Sequence, residues 1–248
     1  MLHQNRTSRY LLYAIGEIFL VVIGILIALQ INNWNQGRLD RIKERTYIES
    51  LINDLKADTM MIAIQLENST HSFNAGLMLD SIIRHGELYD FDPIEIIDEA
   101  QRLGRVWLPQ YNTNTYDDLI NTGNFDLIEN RELADYIRGY YTNLPYQWST
   151  TFGERNEELI RIMVEVIPLK FHVAVLASRD SPLRQPLEEV MTENEAIEIF
   201  EDMTGHPNIS FHIKNVTRGH LFHMRLMAEL GKGTNELLEI LENYKQTL

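Results

Sequence analysis

The 248-residue sequence contains no cysteine and carries a formal net charge of −14 at pH 7. The missing thiols exclude disulfides, zinc-thiolate sites, thiol nucleophiles and iron–sulfur clusters. Residues 1–45 contain six Lys or Arg and three acidic residues, which leaves −17 for the rest of the chain. So acidic a body disfavours nucleic acid as a partner, because phosphate binding needs clustered Lys and Arg.

The most apolar stretch of the chain is residues 10–31. As a helix it would be about 33 Å long, which matches a bilayer hydrocarbon core of about 30 Å. Tyr10 and Tyr13 at one end and Trp34 at the other are typical of side chains at the level of the lipid headgroups. We therefore predict one transmembrane helix over residues 10–34, after a short tail of residues 1–9.

A cleavable signal peptide fits this stretch poorly. The apolar run exceeds the roughly 7 to 15 residues of such a signal, and the bulky polar residues 32–35 that follow offer no cleavage site. The charges that flank the run do not decide its orientation. Arg6 and Arg9 precede it, while the four basic residues after it are interrupted by Asp40 and Glu44.

Two strongly polar side chains, Glu17 and Gln30, lie inside the predicted span. An ionisable residue in lipid costs about 2.5 kcal/mol or more when charged, so Glu17 is expected to face another helix. It belongs to a stripe of mainly small residues with helical spacing, which predicts a helix–helix interface. The stripe consists of Ala14, Glu17, Val21, Gly24, Ala28 and Ile31. A single span must find its companion helix in a second copy or in another protein.

Residues 35–86 are predicted to form a long stalk helix, because they contain no proline and their apolar residues recur every three or four positions. The predicted stripe consists of Ile48, Ile52, Leu55, Ile62, Leu66, Phe73 and Leu77, with Thr59 and Ser69 completing it. Two interpretations stay open. The stripe forms a coiled coil between copies of the chain, or later helices of the same chain cover it.

Residues 87–248 are predicted to form a helical body. Pro93 begins a helix that Gly104 ends, Asn130 caps another, and Pro145 begins a third that runs to about residue 167. A shorter helix is predicted over residues 116–121.

The last part of the chain contains one segment where a strand is allowed, residues 170–176, and a loop near residues 178–186. Thr192 and Glu195 form a capping box. The final helices are predicted over residues 208–230 and 234–244, divided by the Gly-Lys-Gly at 231–233.

One stretch of the body is rich in aromatic and amide side chains, and it could bind a sugar or a peptide. Its candidate residues are Trp107, Tyr111, Asn112, Asn114 and Tyr116. The simpler interpretation, which we favour, is a connection whose rings enter the core and whose polar side chains cap helices.

Motifs for catalysis, metals and cofactors are weak in this sequence. The Gly-Lys-Gly-Thr at 231–234 lacks the upstream glycine and the preceding strand of a phosphate loop. His212, His220 and His223 have helical spacing, but apolar neighbours favour core histidines over a metal site. Asp117 and Asp118 are adequately explained by stabilisation of a helix start. We predict no catalytic residue, metal or cofactor.

The segments YLLYAIGEIFLVVIGILIALQINNWN at 10–35 and TYDDLINTGNFDLIENRELADYIRGYY at 115–141 resemble a family of uncharacterised bacterial single-span membrane proteins with a helical body. The resemblance implies no activity. It does imply an N-terminus inside the cell and a body outside the inner membrane, although members usually have a more basic tail than the Arg6 and Arg9 of this chain.

Together these patterns predict an all-α fold: a transmembrane helix continuing into a stalk helix, followed by a helical bundle. The expected function is a non-enzymatic scaffold, interaction or sensory protein that forms homo-oligomers through span and stalk, with lipid and other membrane proteins as partners. The alternative is an ion channel or an ion-coupled subunit with Glu17 lining the path. A membrane-anchored enzyme of unknown reaction is the third possibility.

Overall fold

The computed structural model describes residues 4–86, 91–106, 108–171 and 186–248, and within these ranges the protein is helical with no strand. Eight α-helices and one 3₁₀ turn at Asn124–Leu127 lie wholly within these ranges, and residues 169–171 are also helical. In chain order the helices are α1 Gln4–His85, α2 Pro93–Gly104, α3 Asn114–Asn121, α4 Arg131–Thr142, α5 Tyr146–Val166, α6 Leu187–Val190, α7 Glu193–Gly205 and α8 Ile209–Lys245.

Helix α1 runs without interruption through both the apolar stretch and the predicted stalk. Its 82 residues would span about 120 Å at about 1.5 Å per residue. Gly37 does not break the helix. The helix ends at His85, and the next residue, Gly86, has a φ of 69°, which glycine readily adopts. The Gly86 amide donates to the Ile82 carbonyl at 2.9 Å, which caps the last turn.

Helix α8 lies antiparallel along the second half of α1. Ion pairs mark the direction: Lys245 with Glu49 at 3.1 Å at one end, and Lys214 with Asp80 at 3.6 Å at the other. The predicted division of this segment at 231–233 is wrong, because α8 is continuous. A Cβ on Gly231 would lie 3.2 Å from Ile62 Cγ2, so packing against α1 offsets the low helix propensity of glycine.

Two buried apolar clusters, here called the first and second cores, are arranged along α1. The first core joins α1 to α3, α4 and the end of α8, and includes Ile48, Leu51, Leu55, Leu119, Ile137 and Leu237. The second core joins α1 to α2, α5, α7 and the start of α8, and includes Leu79, Ile96, Leu103, Leu159, Phe200 and Ile213. The body is therefore built around the stalk half of α1.

The predicted stalk stripe is covered by helices of the same chain. Ile48, Ile52, Leu55 and Ile62 are buried as expected, but Leu77 is 52% exposed. Beyond Ile62, Ser69 is buried as predicted, but the buried face also contains Gln65, Ser72, Ala75 and Leu79, which the prediction left out. Three of these four residues are small or polar, so the apolar pattern did not reveal them. Of the two interpretations, the structure supports the one in which later helices of the same chain pack on the stalk.

Local helix signals are confirmed at four places. Asn130 accepts a hydrogen bond from the Leu133 amide, and Thr192 with Glu195 forms the capping box. Helices α2 and α5 begin at or beside Pro93 and Pro145.

Other details of the predicted body are wrong or were missed. Helix α3 begins at Asn114, two residues before the predicted start, and α6 was not predicted. Residues 170 and 171 are helical, although a strand was allowed over 170–176. The rest of that segment and most of the loop near 178–186 lie outside the described residues.

Candidate functional site: the uncovered part of helix α1 and its attachment to the body

No other described part of the chain covers the first half of α1. Every described side chain from Tyr13 to Leu39 is exposed. This part of α1 contains an 18-residue window with a mean hydropathy of 2.5, none of it buried. Among the described residues, α1 alone is long and apolar enough to cross a membrane.

The predicted interface stripe lies on this uncovered part. Val21 and Ile31 are 57% and 61% exposed, and an added Cβ on Gly24 would meet no atom within 4 Å. Glu17 and Gln30 are also exposed in the single chain. The structure places the stripe on one continuous helix but brings no residue of the described body to it.

A buried carboxylate attaches the body to α1 just beyond the uncovered part. Glu44 is 1% exposed and accepts hydrogen bonds from the Tyr244 hydroxyl at 2.6 Å and the Glu129 amide at 2.9 Å. Burial raises the pKa of Tyr244 to about 12, and the bond to Glu44 acts in the same direction. No sequence pattern indicated this contact, because Glu44 lies in a run of charged residues that is typical of a solvated helix face.

A second buried carboxylate lies farther along α1. Asp58 is fully buried and its Oδ1 accepts from the Asn112 amide at 3.0 Å and from the Asn112 side chain at 2.7 Å. Its Oδ2 is buried without a partner among the described residues. Burial raises the pKa of Asp58, while the two hydrogen bonds from Asn112 oppose that effect. Asp58 therefore fixes the loop before α3 to the stalk.

The aromatic loop residues pack inside the body instead of forming an open cleft. Tyr111 meets Tyr146 edge to face at 5.4 Å between ring centroids, and Tyr116 stacks on Tyr141 at 4.6 Å. Asn114 is exposed. Trp107, the remaining candidate, lies outside the described residues.

The two aspartates at the start of α3 have neighbours that satisfy them. The Tyr47 hydroxyl donates to Asp118 Oδ2 at 2.7 Å, and Thr113 donates to Asp117 Oδ2 at 2.8 Å. The Asn124 amide donates to the Tyr47 oxygen at 2.8 Å. The Tyr47 contact joins α3 to α1, whereas the bond from Thr113 to Asp117 lies within the start of α3.

His220 and His223 are core histidines. His220 Nε2 donates to the Leu103 carbonyl at 2.9 Å, and His223 Nδ1 accepts from Trp148 Nε1 at 3.0 Å. Burial lowers the pKa of each to about 4, so both are neutral at pH 7. His212 lies against Phe211. No group of three His, Cys, Asp or Glu suited to a metal ion occurs in the described part of the chain.

Comparison with known proteins gives one match. No curated protein and no solved structure matches the chain. Residues 17–97 match a family described only as a family of unknown function, DUF6090. The matched stretch begins at Glu17 and contains the uncovered part of α1 beyond it, the stalk and the beginning of α2. This part of the chain is therefore similar to an uncharacterised domain.

Proposed function

We propose that this protein is a single-pass, membrane-anchored, non-enzymatic interaction protein that forms homo-oligomers through its span and presents an acidic helical body to a partner. The observation that carries the proposal is the continuity of α1: one half is apolar and uncovered, while the other half forms the centre of the body. An anchor that continues rigidly into a body transmits position and orientation from membrane to partner.

The interface assigned to oligomerisation is the stripe around Gly24, not the stalk. The first part of the predicted stalk stripe, Ile48 to Ile62, is already buried mainly by helices of the body, whereas the stripe around Gly24 is open. Small residues allow membrane helices to approach closely, which strengthens van der Waals contacts between them. Glu17 on the same face would then hydrogen-bond a neighbouring copy and avoid lipid.

The location that fits this proposal is a bacterial inner membrane with the body in the periplasm, as the family resemblance implies. The absence of cysteine makes the orientation directly testable. A cysteine introduced at the exposed Lys232 should react with a membrane-impermeant maleimide in intact spheroplasts. Labelling only after lysis would place the body in the cytoplasm.

The test of assembly compares two glycine substitutions in the uncovered helix. Neither Gly24 nor Gly16 has an atom within 4 Å of an added Cβ, but only Gly24 lies on the stripe. Gly24→Ile should reduce the oligomer measured by native mass spectrometry from detergent at least tenfold, and Gly16→Ile should leave it unchanged. A wild-type monomer, or equal effects of the two substitutions, would contradict the assignment.

A second candidate function is an ion path lined by Glu17, favoured by the exposure of this carboxylate on the apolar helix. Reconstituted vesicles separate the two functions. Under the interaction proposal the wild-type chain conducts no ions, and Glu17→Gln changes assembly by less than an order of magnitude. A cation flux that the wild type supports and Glu17→Gln abolishes would establish the channel instead.

A further inference from the structure

A groove of about 390 Å³ lies between α5 and the middle of α8, far from the apolar half of α1. Its lining residues are Trp148, Arg155, Arg218, Leu221, Phe222 and Arg225. The volume falls in the range of small-molecule sites, about 300 to 1,000 Å³. On each helix the residues follow helical spacing, so apolar groups lie between the arginines.

The apolar floor of the groove is held in place by stacked rings. Trp148 lies 4.4 Å from Phe222 and stacks on Phe152 at 5.4 Å, and Phe152 stacks in turn on His223 at 4.8 Å. The bond from Trp148 to His223 fixes the indole. A Cβ on Gly219 would lie 3.1 Å from Phe152, so this glycine permits the close approach of α5 and α8.

The three arginines of the groove form no ion pair with a described carboxylate. None of the three has a carboxylate within 4.0 Å among the described residues, whereas Arg84, Arg131 and Arg138 do. Arg155 donates to Asn215 Oδ1 at 3.2 Å and lies 5.8 Å from the Trp148 ring centroid, and its Nε is buried with no partner in the described chain. Three guanidinium groups without a carboxylate partner among the described residues are unexpected around one groove of a body with net charge −17.

We propose that this groove binds a small organic anion, a carboxylate or phosphate monoester that carries an aromatic or aliphatic group. Arginine is suited to both kinds of anion, because its planar fork donates two parallel hydrogen bonds. Trp148 and Phe222 supply the surface on which the apolar group packs.

The position of the groove excludes lipid headgroups of the anchoring membrane. Thr217 contacts Gly76, so Arg218 lies level with a part of α1 that is about 65 Å beyond Ile31 at about 1.5 Å per residue. The acidic surroundings also repel a long polyanion such as nucleic acid. A small anion with one or two charges is repelled far less by the net charge of the body than a polyanion is.

The test is isothermal titration calorimetry of the full chain in detergent micelles, with phenyl phosphate and benzoate as probes. At least one probe should bind saturably at one site per chain. Arg218→Ala and Arg225→Ala should each weaken that binding about tenfold or more. Lys232→Ala, which removes one positive charge from the same helix outside the groove, should leave it unchanged. Benzylamine, which has a similar ring and the opposite charge, should not bind.

The contrary results are equally specific. No saturable binding of either anion at millimolar concentration would overturn the proposal, and so would an equal loss in Lys232→Ala. Equal affinity for inorganic phosphate and phenyl phosphate would show that the aromatic floor does not contribute to binding, which contradicts the proposed class of ligand. Arg225→Lys, which keeps the charge, provides a second variant if melting curves show that Arg225→Ala is misfolded. Gly24→Ile should bind the probes normally, which separates this proposal from that of oligomerisation.

Discussion

Gly76 of α1 and Thr217 of α8 lie in direct contact where the two longest helices pack: a Cβ built on Gly76 would be 2.0 Å from Thr217 Oγ1 and 2.9 Å from Thr217 Cβ. The threonine cannot turn away freely, because its hydroxyl donates to the Ile213 carbonyl at 2.6 Å. The approach of α8 to α1 at this level therefore requires the absence of a side chain at position 76.

Gly76→Ala should destabilise the body by about 1 to 3 kcal/mol, the usual cost of overpacking. Gly233→Ala is the matched control, because Gly233 is also inside a helix but has open space around its Cβ position. There, higher helix propensity should stabilise the protein by up to about 1 kcal/mol. Urea denaturation followed by circular dichroism measures both. Equal responses to the two substitutions would show that α1 and α8 do not approach as described.

Asp58 should make the stability of the protein depend on pH. Its pKa is raised by burial, so the folded chain holds the proton more tightly than the unfolded chain. Stability from this residue is therefore present at low pH and is lost as pH rises from about 4 through the raised pKa. Asp58→Asn removes the ionisable group. Across this pH range, the free energy of unfolding of the variant should therefore rise relative to that of the wild type.

Asp58→Ala tests the structural role of the same residue. It leaves the amide and side chain of Asn112 without their acceptor, which should cost about 2 kcal/mol at neutral pH. Both variants are measured by urea denaturation at several pH values. A difference between Asp58→Asn and wild type that does not change with pH would show that folding does not raise the pKa of Asp58.

What could be predicted from the sequence depended on the range of the interactions. The apolar run of α1, the Asn130 cap and the Thr192 capping box are local patterns, and the structure has all three. The continuity of α8 could not be predicted, because the contact of Gly231 with Ile62 joins distant parts of the chain. A glycine in the sequence alone signals a break.

The attachment residues were missed for the same reason. Glu44 accepts a hydrogen bond from Tyr244, 200 residues away, and Asp58 accepts one from Asn112, 54 residues away. Acidic residues in a charged helix are typical of a solvated face, and only the tertiary packing shows that these two are buried. The arginine groove likewise depends on the pairing of α5 with α8, which no local pattern encodes.

Tyr244→Phe should loosen the end of α8 from α1. It removes the hydroxyl that donates to buried Glu44 at 2.6 Å and leaves that carboxylate with the Glu129 amide as its described donor. A hydrogen bond to a charged group contributes about 1.5 to 3 kcal/mol, so a loss of about 2 kcal/mol is expected. Tyr136→Phe is the control, because its bond to Glu236 is 3.5 Å long and exposed.

Hydrogen exchange of the α8 backbone amides measures how firmly each part of the helix is held in the two variants. Protection should fall near Tyr244 in the Tyr244→Phe variant and stay unchanged in Tyr136→Phe. If exchange increases equally along the whole of α8, the bond to Glu44 supports global stability and does not specifically attach this end of the helix.

Acid should destabilise the body through its two core histidines. Burial lowers the pKa of His220 and His223 to about 4, below the ordinary value of 6.5. The unfolded chain therefore binds more protons than the folded chain between these values, and the free energy of unfolding should fall as pH decreases from about 6.5 to about 4. Each histidine contributes up to about 3 kcal/mol to this fall.

Substitution of the buried rings identifies the source of the acid sensitivity. His220→Gln and His223→Gln should each lower stability at neutral pH, because they disturb bonds to Leu103 and Trp148, but they should flatten the dependence on pH below 6.5. His71→Gln removes an exposed histidine and should preserve the wild-type slope. Thermal melts between pH 4 and 7 measure all three. A slope that persists in the two core variants would place the acid sensitivity elsewhere in the protein.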